Sequence, residues 1–288
     1  MSRIKFGILG GDLRYKILFN LLKNDGYNVS AFCNNCIECS KNGYDDLFDG
    51  TDVIIAPIPF SKDNKKIFLK DCANIKITEL FEKMNKHSIK TLIGGVMTDE
   101  IRELGLKYGI RIFDFFDKES VAVLNAIPTA EGAIQTAMTE SERTIFMSKC
   151  LVLGYGRCGK ILANSLKGLG ANVSVTYRNE KDEAYIKAFG FKEINLYDVI
   201  GSVESFDFIF NTIPAHVINK KFLRKVNKDC IIIDLAQAPG GVDFNYAREE
   251  GIKALYCPGL PGRVAPVTAA EVLKTAVLKI SVSQITSL

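Results

Sequence analysis

Histidine is scarce in this chain. Only His87 and His216 occur in 288 residues, so the usual neutral-pH proton carrier has few places to be. Long apolar runs are missing too: Met-Ser-Arg leads straight into a candidate strand, with neither a signal-peptide core nor a membrane span. A charge excess of one sign is also lacking. The 37 Lys and Arg against 33 Asp and Glu leave +4, with the signs intermixed. That balance argues against nucleic-acid or membrane-surface binding and leaves acidic small substrates open. There is no internal repeat and no low-complexity tract. The expectation is a cytoplasmic globular protein, 47% hydrophobic, long enough for two α/β domains with separate cores.

The eight cysteines lack the arrangement a metal site needs. Cys33, Cys36 and Cys39 have C-x-x-C-x-x-C spacing, but position 43, where a fourth ligand would fall, is glycine. A reduced cysteine-rich loop is expected there, with no metal. Cys150, Cys230 and Cys257 lie in or at the end of apolar strand runs and Cys158 lies in a glycine loop, positions suited to free, small, buried side chains.

What is present centres on residues 149–160. Cys150 to Leu153 form a short apolar run, and Gly154, Gly156 and Gly159 follow in G-x-G-x-x-G spacing. Ile161, Leu162, Leu166 and Leu169 then recur at helical spacing, Gly170 stops the helix, and Val173 to Tyr177 read as the next strand. Within such a βαβ unit Gly154 makes the tight turn, Gly156 admits a pyrophosphate close to the backbone, and Gly159 lets helix pack on strand. Tyr155, Arg157 and Cys158 complete the expected cofactor loop. The second strand ends in Tyr177-Arg178-Asn179, where NAD-binding units usually carry an acid. An arginine there favours NADP over NAD by pairing with the 2′-phosphate; Glu180 is the alternative acidic partner. Three later turns follow parallel strands at the same sheet edge and should line the nicotinamide side. They supply Thr212, Ile213 and Pro214, then Ala236, then Pro258 and Gly259.

The first part of the chain reads as another open parallel βα domain. Strands are expected at Ile4–Leu9, Tyr27–Phe32, Asp52–Ala56, Thr91–Ile93 and Ile110–Phe113, with helices over Ile77–Lys86 and Asp99–Lys107. Its first turn, Gly10-Gly11-Asp12, lacks the full fingerprint, and Asp12 would repel a phosphate, so a substrate is assigned there. Ligands of such sheets bind beyond the C-terminal strand ends, which nominates Gly11, Asp12, Arg14, Pro57, Ser61, Gly94 and Gly95. Residues 118–147 contain a long helix with Pro128 near its middle, read either as a hinge or as an ordinary kinked packing helix. On the hinge reading, Asn125, Thr129 and Glu131 join the substrate site. The fold class is thus α/β, two Rossmann-like domains joined by a long hinge helix: 1–117, 118–147, 148–265 for the dinucleotide domain, and a C-terminal helix over 266–288 that can cross back to the first domain.

Taken together and in order, several segments resemble the family of dipicolinate synthase A subunits from spore-forming bacteria. These are Gly10-Gly11-Asp12-Leu13-Arg14, Ile127 to Gly132, the glycine loop, Asn211-Thr212-Ile213-Pro214, Asp234-Leu235-Ala236, Pro239 to Phe244, and Pro258 to Gly262 with Ala265-Pro266. The resemblance implies oxidation of dihydrodipicolinate, or its hydrated precursor, to dipicolinate with NADP. It also implies a hetero-oligomer whose other member is a flavoprotein-like B subunit, in the mother-cell cytoplasm during sporulation. Two substrate carboxylates would need cations, for which Arg14 and Arg263 are the candidates. Asp12 or Glu131 would accept the proton, although Asp12 reads equally well as a helix cap. His216 sits just past the Asn211–Pro214 turn, where it can face solvent, and His87 lies in a polar loop. Two alternatives stay open: another dehydrogenase of a 2-hydroxy or 2-amino acid, or a non-catalytic NADP-binding subunit.

Overall fold

A computed structural model describes residues 4–33, 43–70 and 72–285. The chain divides into two compact units, Met1–Leu124 with Ala265–Leu288, and Asn125–Val264.

The first unit runs β1 (Lys5–Leu9), α1 (Leu13–Asn24), β2 (Asn28–Phe32), β3 (Val53–Ile55), α2 (Ile77–Lys86), β4 (Thr91–Gly94), α3 (Asp99–Lys107) and β5 (Arg111–Asp114). The strands form a parallel sheet in the order β2-β1-β3-β4-β5, one of the two common doubly wound orders. Parallel sheets are covered on both faces, so their central strands are apolar runs; Val53, Ile54 and Ile55 are all buried. Helix α2 shows why the covering helices form. Ile77, Leu80, Phe81 and Met84 fall at i, i+3, i+4 and i+7, and all four are buried. At about 1.5–3 kcal/mol for each buried side chain, that stripe outweighs the modest intrinsic propensity of a ten-residue helix. Ser88, with φ +60, turns the chain out of it.

Helix α4 (Glu119–Glu140) carries Pro128 inside it, as the sequence predicts. In the second unit follow β6 (Lys149–Leu153), α5 (Arg157–Gly168), β7 (Asn172–Tyr177), α6 (Glu180–Ala188), β8 (Lys192–Asn195), β9 (Phe208–Asn211), α7 (Lys220–Leu223), β10 (Ile231–Asp234), α8 (Phe244–Glu249), β11 (Lys253–Tyr256) and α9 (Leu260–Val264). Their parallel sheet has the order β11-β10-β9-β6-β7-β8, the two-halved dinucleotide-binding order that reverses between β6 and β9. Ala130, Ala133, Ile134 and Ala137 of α4 belong to one of this unit's core clusters, with Cys150, Val152, Leu162 and Phe210.

The last helix, α10 (Pro266–Ile285), returns to the first unit. Its Ala270, Leu273, Ala276, Val277 and Ile280 bury against a cluster that includes Tyr15, Leu18 and Leu22 of α1, and Lys274 pairs with Asp25 at 2.9 Å.

Candidate functional site

In the second unit the three glycines divide their tasks as the spacing predicts. Gly154 adopts φ +96, where a side chain is strained, and its N–H donates to Thr176 Oγ1 at 2.9 Å. A Cβ on Gly159 would lie 2.1 Å from the Gly154 carbonyl oxygen, so only glycine lets α5 approach the turn this closely. Around Gly156 there is nothing within 4 Å of where a Cβ would sit. Gly156 is also the N-cap of α5, and no side chain caps it. The turn that opens α5 is therefore unobstructed at Gly156, the arrangement that receives an anion at a helix N-terminus. Cys158 sits in that first turn as a neutral thiol, its pKa pushed up to about 12 by burial.

A cavity of about 450 Å³ opens over this turn. Of the expected cofactor residues, Gly154, Tyr155, Gly156, Tyr177, Arg178, Asn179, Thr212, Ile213 and Pro214 line it. Arg157, Cys158, Gly159, Ala236, Pro258 and Gly259 are not in its lining; Gly159 lies under the loop, packed on Gly154. Arg178 is exposed at the tip of β7. Glu180 does not reach the cavity, whereas Asp182 does, a residue that strand-tip reasoning passes over because it lies one helical turn further on. Asn179 explains its placement. The Asn179 side chain caps α6 by accepting from Asp182 N at 2.8 Å, and its Nδ2 donates to Asp182 Oδ2 at 2.8 Å. Burial raises the pKa of the Tyr155 phenol, and Asp182 adds to the effect.

The turns after β9 and β10 are locked by two fully buried polar side chains. Asn211 Nδ2 donates to Asp234 Oδ1 at 2.8 Å and to Ile213 O at 3.1 Å, while Asn211 Oδ1 accepts from Ile213 N at 3.1 Å. Asp234 also accepts from Ala236 N at 3.1 Å and Gly241 N at 2.7 Å. This network fixes the Thr212–Pro214 edge of the cavity, and Thr212 Oγ1 itself donates to Leu153 O at 2.8 Å. His216 is exposed beyond it. Arg263 is exposed on α9, and Glu131 is exposed on α4. Thr129 Oγ1 donates back to Asn125 O at 2.9 Å, an ordinary bond within the helix.

At the corresponding sheet edge of the first unit, Asp12 is the N-cap of α1 and accepts from Arg14 N at 3.1 Å. The Arg14 guanidinium returns to the same carboxylate, Nη2 to Oδ2 at 2.7 Å and Nε to Oδ1 at 2.9 Å. Arg14 is 3% exposed, and the Nε–Nη2 edge of its guanidinium is engaged by Asp12. Desolvation works against the Arg14 charge, but Asp12 more than compensates, and the guanidinium pKa is raised. Ser61 is likewise engaged, donating to Lys66 O at 2.6 Å within its own loop. Gly94 and Gly95 are packing positions, where a Cβ would meet Met97 at 2.3 Å and Ile58 at 2.5 Å. Gly11, with φ +100, lies against the ring of Tyr15, whose hydroxyl donates to Ala56 O at 2.9 Å. Two carboxylate features here escape sequence reasoning. Asp114 is buried and accepts from Met97 N at 2.6 Å and Phe116 N at 2.8 Å, and desolvation raises its pKa. Arg102 binds Asp117 at 2.9 Å.

Cys33 is disulfide-bonded to Cys72, so the expectation of a reduced loop is corrected at that position; the two Cα atoms lie 5.8 Å apart, within bridging range. Sequence spacing alone cannot reveal a partner on a distant returning segment. Cys36 and Cys39 lie outside the described residues. Cys150, Cys158, Cys230 and Cys257 are free, as expected.

Comparison with known proteins gives these features a family. Residues 5–116 match the N-terminal domain of the dipicolinate synthase A subunit, and residues 125–242 match the NAD-binding domain of D-isomer specific 2-hydroxyacid dehydrogenases. The crystal structure of the dipicolinate synthase A subunit from Bacillus halodurans is 30% identical with a TM-score of 0.85, over 96% of this chain and 97% of that one. The chain belongs to the family of dipicolinate synthase A subunits. The corresponding A subunit of Bacillus subtilis is 29% identical over 97% of this chain and 96% of its own length. D-lactate dehydrogenase from Escherichia coli, 13% identical with a TM-score of 0.66 over 98% of each chain, shares the fold. Membership of the dipicolinate synthase family, with the matched NAD-binding domain, makes the chain a dehydrogenase-type oxidoreductase with a nicotinamide cofactor. The open Gly156 turn and the uncapped α5 fit the pyrophosphate of such a cofactor. Among the described residues no helix is long and apolar enough to cross a membrane.

Proposed function

We propose that this chain is the dehydrogenase subunit of a dipicolinate synthase, oxidising dihydrodipicolinate, or its hydrated precursor after loss of water, to pyridine-2,6-dicarboxylate with NADP. The observation that carries the reading is the open, uncapped Gly156 turn in a chain that aligns with other dipicolinate synthase A subunits over nearly its whole length. NADP supplies the hydride acceptor. Loss of a hydride and a proton from a dihydropyridine leaves an aromatic ring, so the reaction is downhill and asks for positioning more than for a strong base. In this scheme Asp12 or Glu131 takes the proton, directly or through water, and Arg263 binds a substrate carboxylate. Arg14 acts through Asp12, holding its carboxylate in one orientation. Gly11, Asn125 and Thr129 remain substrate-side candidates. A flavoprotein-like B subunit is the proposed partner, in the mother-cell cytoplasm during sporulation.

The purified chain, given NADP and freshly generated dihydrodipicolinate, is expected to produce NADPH and the ultraviolet absorption of the pyridine dicarboxylate. Turnover only on a 2-hydroxy acid would overturn the substrate in favour of the second reading, which the match over residues 125–242 supports. Turnover only after the B subunit is added would make the chain a cofactor-holding subunit.

NADP is favoured by Arg178, and Asp182, on the same cavity, supports NAD as the second reading. Replacing Arg178 with Ala should weaken NADP by about tenfold to hundredfold, the worth of a charge-assisted hydrogen bond, and leave NAD nearly unchanged. Asp182→Asn should move the preference further toward NADP. Calorimetric titration of both dinucleotides checks the pair, and equal losses for both in Arg178→Ala would sink the 2′-phosphate assignment.

A further inference from the structure

A second cavity of about 450 Å³, equal in volume to the dinucleotide cavity, lies at the opposite edge of the same sheet. It is a notch beneath the N-terminal ends of β6, β7 and β8, with Lys149, Ser174 and Lys192 on those strands and Lys167 near the end of α5. The lining contains these three lysines and no carboxylate. Lys149 and Lys192 have no ion-pair partner among the described residues, while Lys167 is anchored, its Nζ donating to Phe189 O at 2.6 Å and lying 5.2 Å from the Phe191 ring centre. The acid near this edge, Asp207, accepts from Lys149 N at 2.8 Å and stands outside the lining.

Two further observations turn a positive notch into a recognition site. Ser174 is 5% exposed and its hydroxyl makes no hydrogen bond among the described residues, yet it is not one of their fully occluded, unsatisfied polar atoms. That hydroxyl is therefore open to the notch, where it can donate to an entering acceptor. Phe191 and Phe206, 8% and 5% exposed, supply apolar ring surface in the same lining. Cations and one hydroxyl donor around buried rings select a ligand that is flat, apolar in its body and doubly charged at its edge.

We infer that the second unit carries a separate binding site for a small planar organic dianion, at the sheet edge remote from the glycine turn. It requires neither the dehydrogenase chemistry nor the dinucleotide. The site would let an aromatic or unsaturated dicarboxylate bind without displacing the cofactor.

Benzene-1,3-dicarboxylate is a suitable probe, titrated into the full chain by calorimetry with the amide signals of Ser174, Phe191 and Phe206 followed by NMR. Saturable binding is expected, with shifts at those three amides. Lys149→Gln/Lys192→Gln and Ser174→Ala should each weaken it, the double variant by about tenfold or more. Both variants should melt where the parent does and titrate NADP unchanged, so failure here is separable from failure of the cofactor reading. Equal affinity for inorganic phosphate would overturn the planar class, and binding insensitive to the lysines or absent at tens of millimolar would overturn the site.

Discussion

The chain contains two turns that follow the first strand of a doubly wound parallel sheet, and they are finished in opposite ways. After β1, Asp12 caps α1 with its own carboxylate, Arg14 neutralises that carboxylate, and Gly11 is pressed on the Tyr15 ring. After β6, Gly156 offers no cap and no neighbour within 4 Å of a Cβ. The first turn supplies its own anion to the helix dipole; the second leaves that position to a ligand. A shared strand–turn–helix arrangement therefore does not carry shared ligand chemistry. The residue at the helix cap decides which of the two turns receives a phosphate.

Substitutions at five positions test that contrast. Gly159→Ala should have the largest effect, about 3 kcal/mol of lost stability, because the new methyl group meets backbone oxygen at 2.1 Å and backbone cannot step aside. Chemical denaturation would read this, and a shift below about 1 kcal/mol would mean that the turn relaxes easily. Next comes Asp12→Ala, expected to cost about 2 kcal/mol through a lost cap and an unpaired buried guanidinium, less than a fully buried pair because the Asp12 side chain is 43% exposed. Adding Arg14→Met should recover most of that loss, and no recovery would show that the pair is not what closes the first turn. Gly156→Ala should leave stability within about 0.5 kcal/mol while weakening nicotinamide dinucleotide at least about tenfold, measured by calorimetry. The smallest effect is expected for Asn179→Ala, about 1 kcal/mol in stability through the lost cap of α6, with a change in NAD affinity as Asp182 is released.

Much of this architecture is legible in the sequence because parallel strands are short continuous apolar runs and their helices carry apolar stripes. The α2 and α3 limits fall where the pattern places them, Ile77–Lys86 and Asp99–Lys107. β8 is missed because it is an edge strand of Lys-Glu-Ile-Asn, half exposed and without an apolar run. α6 is missed because its one buried residue, Ile186, leaves no stripe to read. Spacing alone announces the glycine loop, since each glycine answers a local steric demand. The Arg14–Asp12 pair is not legible, because type and position suggest an anion binder and only coordinates reveal a partner two residues away. Asp182 and Ser174 are invisible for the same reason: what matters about them is which cavity they line, and burial has no signature in a single polar letter.

Helix α10 adds a consequence for how the protein is made. The apolar side of α1 waits for Leu273, Val277 and Ile280, residues that come after the entire second unit in the chain. The dinucleotide unit, continuous from Asn125 to Val264, can close while synthesis proceeds. The first unit, though begun earlier, is sealed only after that whole unit has been made and α10 follows it.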